Sequence, residues 1–439
     1  MGGGTSLPGM VARRIDPDLL HKVVAASAAQ KVVVSGSNGK TTTCRMIAAV
    51  AQQGGRRVTQ NRTGSNLLQG VTSVAVNGSN LLGKLETDLL LFEIDEATVP
   101  AAVKEFGPDV LVVTNIFRDQ LDRYGELYAV AGALERTIAS LPSAATVVLN
   151  GDDPLIANFA ATAPSRRLYF GLRVSDVGGT VPEHAADTVR CVRCQHALIY
   201  DRVYISHLGA FRCPNCGYSR PQLQVAVTGL MVEPVAQSRV KLETPRGELT
   251  MELPLPGLHN VYNLAAAVAA MIALGVDLAG AGTAIAALTP AFGRLDTIQA
   301  GGKTVVLGFV KNPISYNTTL RTILQQPGQF DVLSAHSNTL VDGEDFAWLW
   351  DVDLEEAAPR IRSLVVSGTK AAEVAMRFKY AGVKEENMIV IEDRGKALDT
   401  ALRKIPAGGK LHILAGYTPT HELRRLMVQR GWVRPFWEG

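Results

Sequence analysis

No stretch of about 18 or more uninterrupted apolar residues occurs in the chain, which excludes a readable membrane-spanning helix. The opening residues, Met1-Gly2-Gly3-Gly4-Thr5, lack the basic and apolar segments of a secretory signal, so a cytosolic protein is expected. Neither sign of charge is in marked excess. With 44 basic and 41 acidic residues the formal net charge is +3, which gives no electrostatic footprint for nucleic acid. Cysteine is scarce, five in 439 residues, and that excludes a disulfide scaffold. What is abundant is core-forming material: 47% hydrophobic against 19% charged residues. A chain of this length exceeds one comfortable core, so two or three domains are expected.

The most informative stretch is Val32-Val33-Val34-Ser35-Gly36-Ser37-Asn38-Gly39-Lys40-Thr41-Thr42-Thr43. A β-branched run, two glycines, a lysine and three threonines precede a helical pattern over residues 44–53, the order strand, phosphate loop, helix. Backbone N–H groups around Gly36, Asn38 and Gly39, with the helix N-terminus, can cradle a polyphosphate. Lys40 adds a point charge, and the hydroxyls of Thr41 and Thr42 are placed for phosphate or Mg²⁺. The loop is shorter than the common G-x-x-x-x-G-K-[ST] form, with only Ser37 and Asn38 between its glycines. Cys44, just beyond it, reads as a small packing residue.

Apolar runs over 32–35, 89–94, 110–114 and 145–149 alternate with helical patterns over 97–106 and 124–140. This βαβ rhythm predicts a mostly parallel sheet with helices on both faces, and ligands in such sheets bind beyond the carboxyl ends of the strands. Polar clusters fall at those ends. Glu93 is the candidate Mg²⁺ carboxylate, Asn115 closes the third run, and Asp152 and Asp153 follow the fourth as acids or helix caps.

Residues 185–222 break the rhythm. Cys191-x-x-Cys194 and Cys213-x-x-Cys216 are separated by eighteen residues, two knuckles of a tetrahedral Cys₄ site closed by a hairpin. Such a site leaves no open coordination position, so the zinc is expected to be structural. Tyr200, Tyr204, Phe211 and Tyr218 lie between and beside the pairs, and His196 is expected at the surface.

Farther on, His259-Asn260-Val261-Tyr262-Asn263 precedes an alanine-rich helix expected from Leu264, where Asn260 and Asn263 can face a base or sugar. Gly293-Arg294 exposes an arginine that can reach a phosphate, and Gly301-Gly302 reads as a hinge. Strand patterns then recur over 304–309, 330–334, 363–367, 388–391 and 410–414, a second, smaller α/β domain. Within it Asp342-Gly343-Glu344-Asp345 leads to Trp348 and Trp350, a surface turn or an interaction surface.

Taken in order, the loop, Asn61-Arg62-Thr63-Gly64-Ser65-Asn66, Glu93, the run from Thr114 to Glu126, Asn150–Pro154 and Gly293-Arg294-Leu295-Asp296 resemble the Mur ligase family over nearly the whole chain. The cysteine insert, Lys311-Asn312-Pro313 and residues 377–382 place the resemblance within the branch whose members amidate lipid II together with a GatD-type glutaminase. The expected architecture is α/β: a Mur ligase central P-loop domain over 1–300 with a Cys₄ zinc-ribbon insert, then a smaller α/β domain over 301–439. The resemblance implies ATP, Mg²⁺ and an acyl phosphate on the α-carboxyl of D-glutamate in the lipid II stem peptide, with ammonia from glutamine hydrolysed by the partner. Lys40 and Arg294 would neutralise the transferring phosphate, Thr41 and Glu93 would hold Mg²⁺, and Asn260 and Asn263 would meet the nucleotide. The C-terminal domain would close over the site. An acid of the D-G-x-D segment, Asp345 or Asp342, would complete the partner's triad; the choice leans to Asp345.

Two features depart from the amino-acid-adding members. No lysine lies between Lys104 and Lys241, where those enzymes carry a carbamylated one, and Asp119-Gln120 stands where many have Asp-His. An N-terminal UDP-binding domain is also not expected, which fits a lipid-carried substrate at the inner face of the membrane. The competing expectations are a stand-alone Mur- or folylpolyglutamate-type amino-acid ligase, and a zinc-ribbon P-loop protein that binds nucleic acid.

Overall fold

The computed structural model describes residues 6–61, 65–80, 83–118, 127–159, 163–184, 186–232, 238–289, 294–339, 342–343 and 345–434. They fall into two compact units, one ending at Leu288 and one beginning at Thr289.

The first unit carries strands β1 (Gln30–Ser35), β2 (Val58–Gln60), β3 (Leu89–Glu93), β4 (Val110–Val113), β5 (Thr146–Asn150) and β6 (Arg166–Leu172). β7 (Ile199–Ile205), β8 (Leu208–Arg212), β9 (Val225–Val232), β10 (Ser238–Thr244) and β11 (Gly247–Leu253) follow. Nine of these form one sheet in the order β11-β10-β9-β6-β5-β4-β1-β3-β2, and β7 and β8 form a separate hairpin. Neighbours from β2 across to β9 are parallel; β10 is antiparallel to both β9 and β11. The four expected strands are all present. Val32, Val33 and Val34 are fully buried, as are Leu89 to Leu91, because helices cover both faces of a parallel sheet and its central strands become continuous apolar runs. β1 lies between β3 and β4, the point where strand order reverses, and in open parallel sheets ligands bind beyond the carboxyl ends of the strands at such a point.

Helix starts differ from the sequence reading. The helix expected from Cys44 begins at Lys40, and the alanine-rich helix spans Leu258–Ala273, so Asn260 and Asn263 belong to its first turns rather than to a preceding loop. Polar residues there do not break the helix because Gly257 supplies its non-helical cap and the side chains pack against the phosphate loop.

The second unit carries β12 (Arg294–Ala300), β13 (Lys303–Phe309), β14 (Phe330–Ala335), β15 (Ile361–Ser367), β16 (Met388–Val390) and β17 (Lys410–Ala415). They form a six-stranded sheet, β12-β13-β17-β14-β15-β16, antiparallel only at β12–β13. Since β12 pairs in this sheet, the boundary expected at residue 300 falls before it. Gly301 and Gly302 are likewise no hinge. With φ of 57° and 77° they form the two-residue turn of the β12–β13 hairpin, the conformation of a type I′ turn. Lys311-Asn312-Pro313 is a helix start: Asn312 accepts from the Ser315 N–H at 2.8 Å in a capping box ahead of Pro313–Leu324.

Candidate active site

The phosphate loop is built by close approach. Gly39 has φ 87°, and a Cβ on it would lie 2.0 Å from Asn263 Oδ1; one on Gly36 would lie 2.2 Å from Thr114 Oγ1. The end of β4 braces the loop from below. Asn38 N–H donates to Asn115 Oδ1 at 2.8 Å, Asn115 Nδ2 donates to Asn38 C=O at 3.0 Å, and Ser37 N–H donates to Asn115 C=O at 2.9 Å. Asn115 therefore brackets the loop peptide. Asn260 Nδ2 donates to Pro256 C=O at 2.7 Å, and Asn263 Nδ2 donates to Asn260 Oδ1 at 3.1 Å. Asn263 Oδ1 thus lies against the Gly39 backbone, and Asn260 holds the Asn263 amide.

The charged groups converge at the carboxyl ends of β1 and β3. Thr41 Oγ1 donates to Glu93 Oε2 at 2.8 Å, and Lys40 Nζ donates to Glu96 Oε2 at 3.0 Å and to Gly36 C=O. Burial alone would depress the Lys40 ammonium, but Glu96, Asp95 and Glu93 outweigh it and raise its pKa above the ordinary lysine value. Three carboxylates against one ammonium leave net negative charge beside a threonine hydroxyl, a donor set suited to Mg²⁺. Asn38 Nδ2 and the Thr42 and Thr43 hydroxyls are buried without a hydrogen-bond partner among the described residues, donors that suit phosphate oxygens. The sequence assigns no individual role to Glu96 or to Asn61, although Asn61 opens one of the stretches that carry the family resemblance. Asn61 Oδ1 accepts from Glu93 N–H at 2.8 Å while its Nδ2 donates to Glu93 C=O at 2.7 Å, which fixes the candidate metal carboxylate. No local pattern links residues so far apart in the chain.

Asp152 and Asp153 are fully buried ties. Asp152 accepts from Leu172 N–H at 2.8 Å, the Tyr262 hydroxyl at 2.7 Å and Arg220 at 3.0 Å, with its pKa raised by burial despite Arg220. Asp153 accepts from the N–H of Leu155 at 2.9 Å and of Ile116 at 3.3 Å. Cys44 is buried, and burial pushes its thiol far above the ordinary range, so it packs as expected. Residues 62–64, 119–126 and 290–293, with the side chain of Arg294, lie outside the described residues.

The four insert cysteines meet. Cys191 and Cys216 sulfurs are 3.6 Å apart, Cys194 and Cys213 3.4 Å, and all four lie within 4.8 Å of one another. Tetrahedral zinc with Zn–S near 2.3 Å spaces its sulfurs by about 3.8 Å, so the donor set fits. Tyr200, Phe211 and Tyr218 pack inside the insert with two of the cysteines, and His196 is exposed. Tyr204 is buried as well.

In the second unit Asp342 and Asp345 follow β14. Asp342 is half-buried and engaged: Thr339 Oγ1 donates to it at 2.5 Å and Thr418 N–H at 2.8 Å. Asp345 is exposed and accepts from Ala347 N–H at 2.8 Å, at the start of the short turn Ala347–Asp351. Arg377 holds that turn from beneath, donating to Leu349 C=O, to Val352 C=O at 2.6 Å and to Glu355. Among the described residues no helix is long and apolar enough to cross a membrane.

Comparison with known proteins shows similarity over nearly the whole chain. Residues 34–216 match the Mur ligase middle domain and residues 309–420 the MurT ligase C-terminal domain. The chain is 31% identical, over 99% of its length and 94% of the relative's, to the Streptococcus pneumoniae lipid II isoglutaminyl synthase (glutamine-hydrolyzing) subunit MurT. It is 29% identical to the Staphylococcus aureus subunit of the same name, over 90% of this chain and 86% of that one. In fold it is similar to a pseudomurein peptide ligase type C from Methanothermus fervidus, with a TM-score of 0.73 at 20% identity, covering 92% of this chain and 79% of that one.

Proposed function

Because the chain belongs to the MurT family of Mur ligases, we propose that it is the synthetase subunit of a lipid II isoglutaminyl synthase. With ATP it would convert the α-carboxyl of D-glutamate in the lipid II stem peptide to an acyl phosphate, releasing ADP. Ammonia then attacks the acyl carbon, phosphate leaves, a proton is lost from nitrogen, and D-isoglutamine remains. The observation that carries this reading is similarity across 99% of the chain to a subunit of that name.

Lys40 and the loop N–H groups bind the β- and γ-phosphates, with Asn38 Nδ2 and the Thr42 hydroxyl as further donors. Thr41 and Glu93 would hold Mg²⁺, which when bound neutralises charge on the transferring phosphoryl oxygens. Lys40, paired with Glu96 at 3.0 Å, would exchange that carboxylate for phosphate as nucleotide enters. Zinc in the Cys₄ insert would be structural. The stretch without lysine from 105 to 240 fits an enzyme with ammonia as acceptor.

Ammonia would come from a GatD-type glutaminase bound to the second unit. Asp345 would orient that partner's histidine, and its exposure beside a turn anchored by Arg377 supports it over the engaged Asp342. The test is purification with the glutaminase and assay of lipid II amidation with ATP and glutamine. Lys40→Ala should abolish it. ATP consumption with free amino acids and no glutaminase would instead indicate a stand-alone ligase.

A further inference from the structure

The helix Leu7–Ile15 is docked with its usual polarity reversed. A helix packed on a globular core normally buries its large apolar residues. Here the buried residue is Gly9, while Leu7, Met10, Val11 and Ile15 are 54%, 54%, 49% and 81% exposed. At 100° per residue these four positions share an arc of roughly 140°, with Arg14 in its midst. The orientation is held from behind. Gly9 N–H donates to Ser73 Oγ at 2.7 Å, and a Cβ on Gly9 would lie 1.9 Å from Gln69 C=O. Arg13 forms a two-point ion pair with Glu105 at 2.6 and 2.8 Å. Turning the apolar face inward would break all of these contacts.

We propose that this face is a membrane-contact surface, which seats the enzyme on an anionic lipid surface beside its substrate. The inference rests on the proposed function, since a lipid-carried substrate is what brings the protein to a bilayer. Three observations select lipid as the occupant. The helix has no acidic residue, and Arg14 stands among the apolar side chains, where its stem can lie in the acyl region with its guanidinium at the headgroups. The helix is also tied to the nucleotide site. Ser6 and Ser65 hydroxyls are 3.4 Å apart, Asn61 Nδ2 donates to Ser65 C=O at 2.9 Å, and Asn61 clasps Glu93. A bilayer under this helix would therefore lie close to the carboxyl ends of the strands, where a membrane-anchored stem peptide has to arrive.

The test is flotation of the full chain, in complex with its glutaminase, on phosphatidylglycerol-containing vesicles. Wild type should float, and Met10→Glu with Ile15→Glu should reduce partitioning at least about tenfold. Amidation of vesicle-embedded lipid II should fall in step, while amidation of a short-chain soluble analogue should not change. Arg14→Glu, which leaves Leu7, Met10, Val11 and Ile15 in place, should weaken binding to phosphatidylglycerol vesicles and reduce its salt sensitivity. Equal flotation of wild type and double variant, or no flotation of wild type, overturns the proposal. So does a double variant that changes only the particle mass in light scattering, which would make the face a protein–protein contact. No turnover of the soluble analogue by wild type would count against the functional reading, and flotation would still decide the helix.

Discussion

Asn61 holds Glu93 by both sides of its backbone, accepting from its N–H at 2.8 Å and donating to its C=O at 2.7 Å. The clasp sets the height of the carboxylate that receives the Thr41 hydroxyl. Asn61→Ala takes this partner from three buried backbone groups, the N–H and C=O of Glu93 and the C=O of Ser65, at about 1–3 kcal/mol for each left unsatisfied. The expected outcome is a folded enzyme that needs several-fold more Mg²⁺, read from the Mg²⁺ dependence of ATP consumption. An unchanged Mg²⁺ requirement would sink the role assigned to the clasp.

Gly39→Ala combines a left-handed φ, costing about 1–2 kcal/mol, with collision against Asn263 Oδ1. ATP binding by calorimetry should weaken at least about tenfold, and the melting temperature should fall by roughly a few degrees. Adding Asn263→Ala should recover only part of the affinity, because it removes the collision and leaves the backbone strain. Full recovery would show that strain is unimportant.

Metal analysis should find zinc in equimolar amount, and Cys213→Ser should remove it. Arg220, beside the second knuckle, donates to buried Asp152 at 3.0 Å, so melting of the ribbon exposes a carboxylate that the central sheet depends on. The expected result is a lower melting temperature in Cys213→Ser or after chelation. Zinc-free protein of unchanged stability would contradict it.

Two histidines of the second unit resist protonation. Burial pushes His336 down to about 3 and His412, also beside Lys410, to about 4. Their folded-state values lie below the unfolded 6.5, so the unfolded chain binds more protons and stability declines as pH falls from 6.5 towards the folded values. Each such group adds a slope of about 1.4 kcal/mol per pH unit in that window. In urea unfolding between pH 6.5 and 4, His336→Leu should be less acid-sensitive than wild type, since its Nε2 has no partner among the described residues. Identical slopes would refute the assignment.

If Asp345 orients the partner's histidine as proposed, Asp345→Asn should abolish glutamine-dependent amidation and spare the reaction with added ammonia. Asp342→Asn should instead lower stability modestly, because its single amide oxygen can accept from Thr339 or from Thr418 N–H but not from both. Loss of ammonia-dependent activity in Asp345→Asn, with the fold intact, would exclude the triad role.

Much of this molecule was legible in one dimension. The strand–loop–helix order around Gly36 and Gly39, the paired cysteines and the apolar runs of both sheets are short-range patterns, and their chemistry is set by neighbours in the chain. The hairpin turn at Gly301-Gly302 shows the limit, since two glycines read equally as a hinge or a turn until β12 finds β13. Asn260 and Asn263 show it again. Only the packing of the helix Leu258–Ala273 brings Asn263 against Gly39, a contact that no local spacing shows.

Residue type and local spacing determined that a phosphate loop, a Cys₄ knuckle pair and two α/β sheets would form. Only the tertiary structure decided that Asn61 clasps Glu93, that Glu96 pairs with Lys40, and that the first helix turns Gly9 inward and its large apolar residues outward. Those outcomes depend on which backbone lies within hydrogen-bonding or van der Waals reach across tens of residues, and close packing sets that distance, not periodicity.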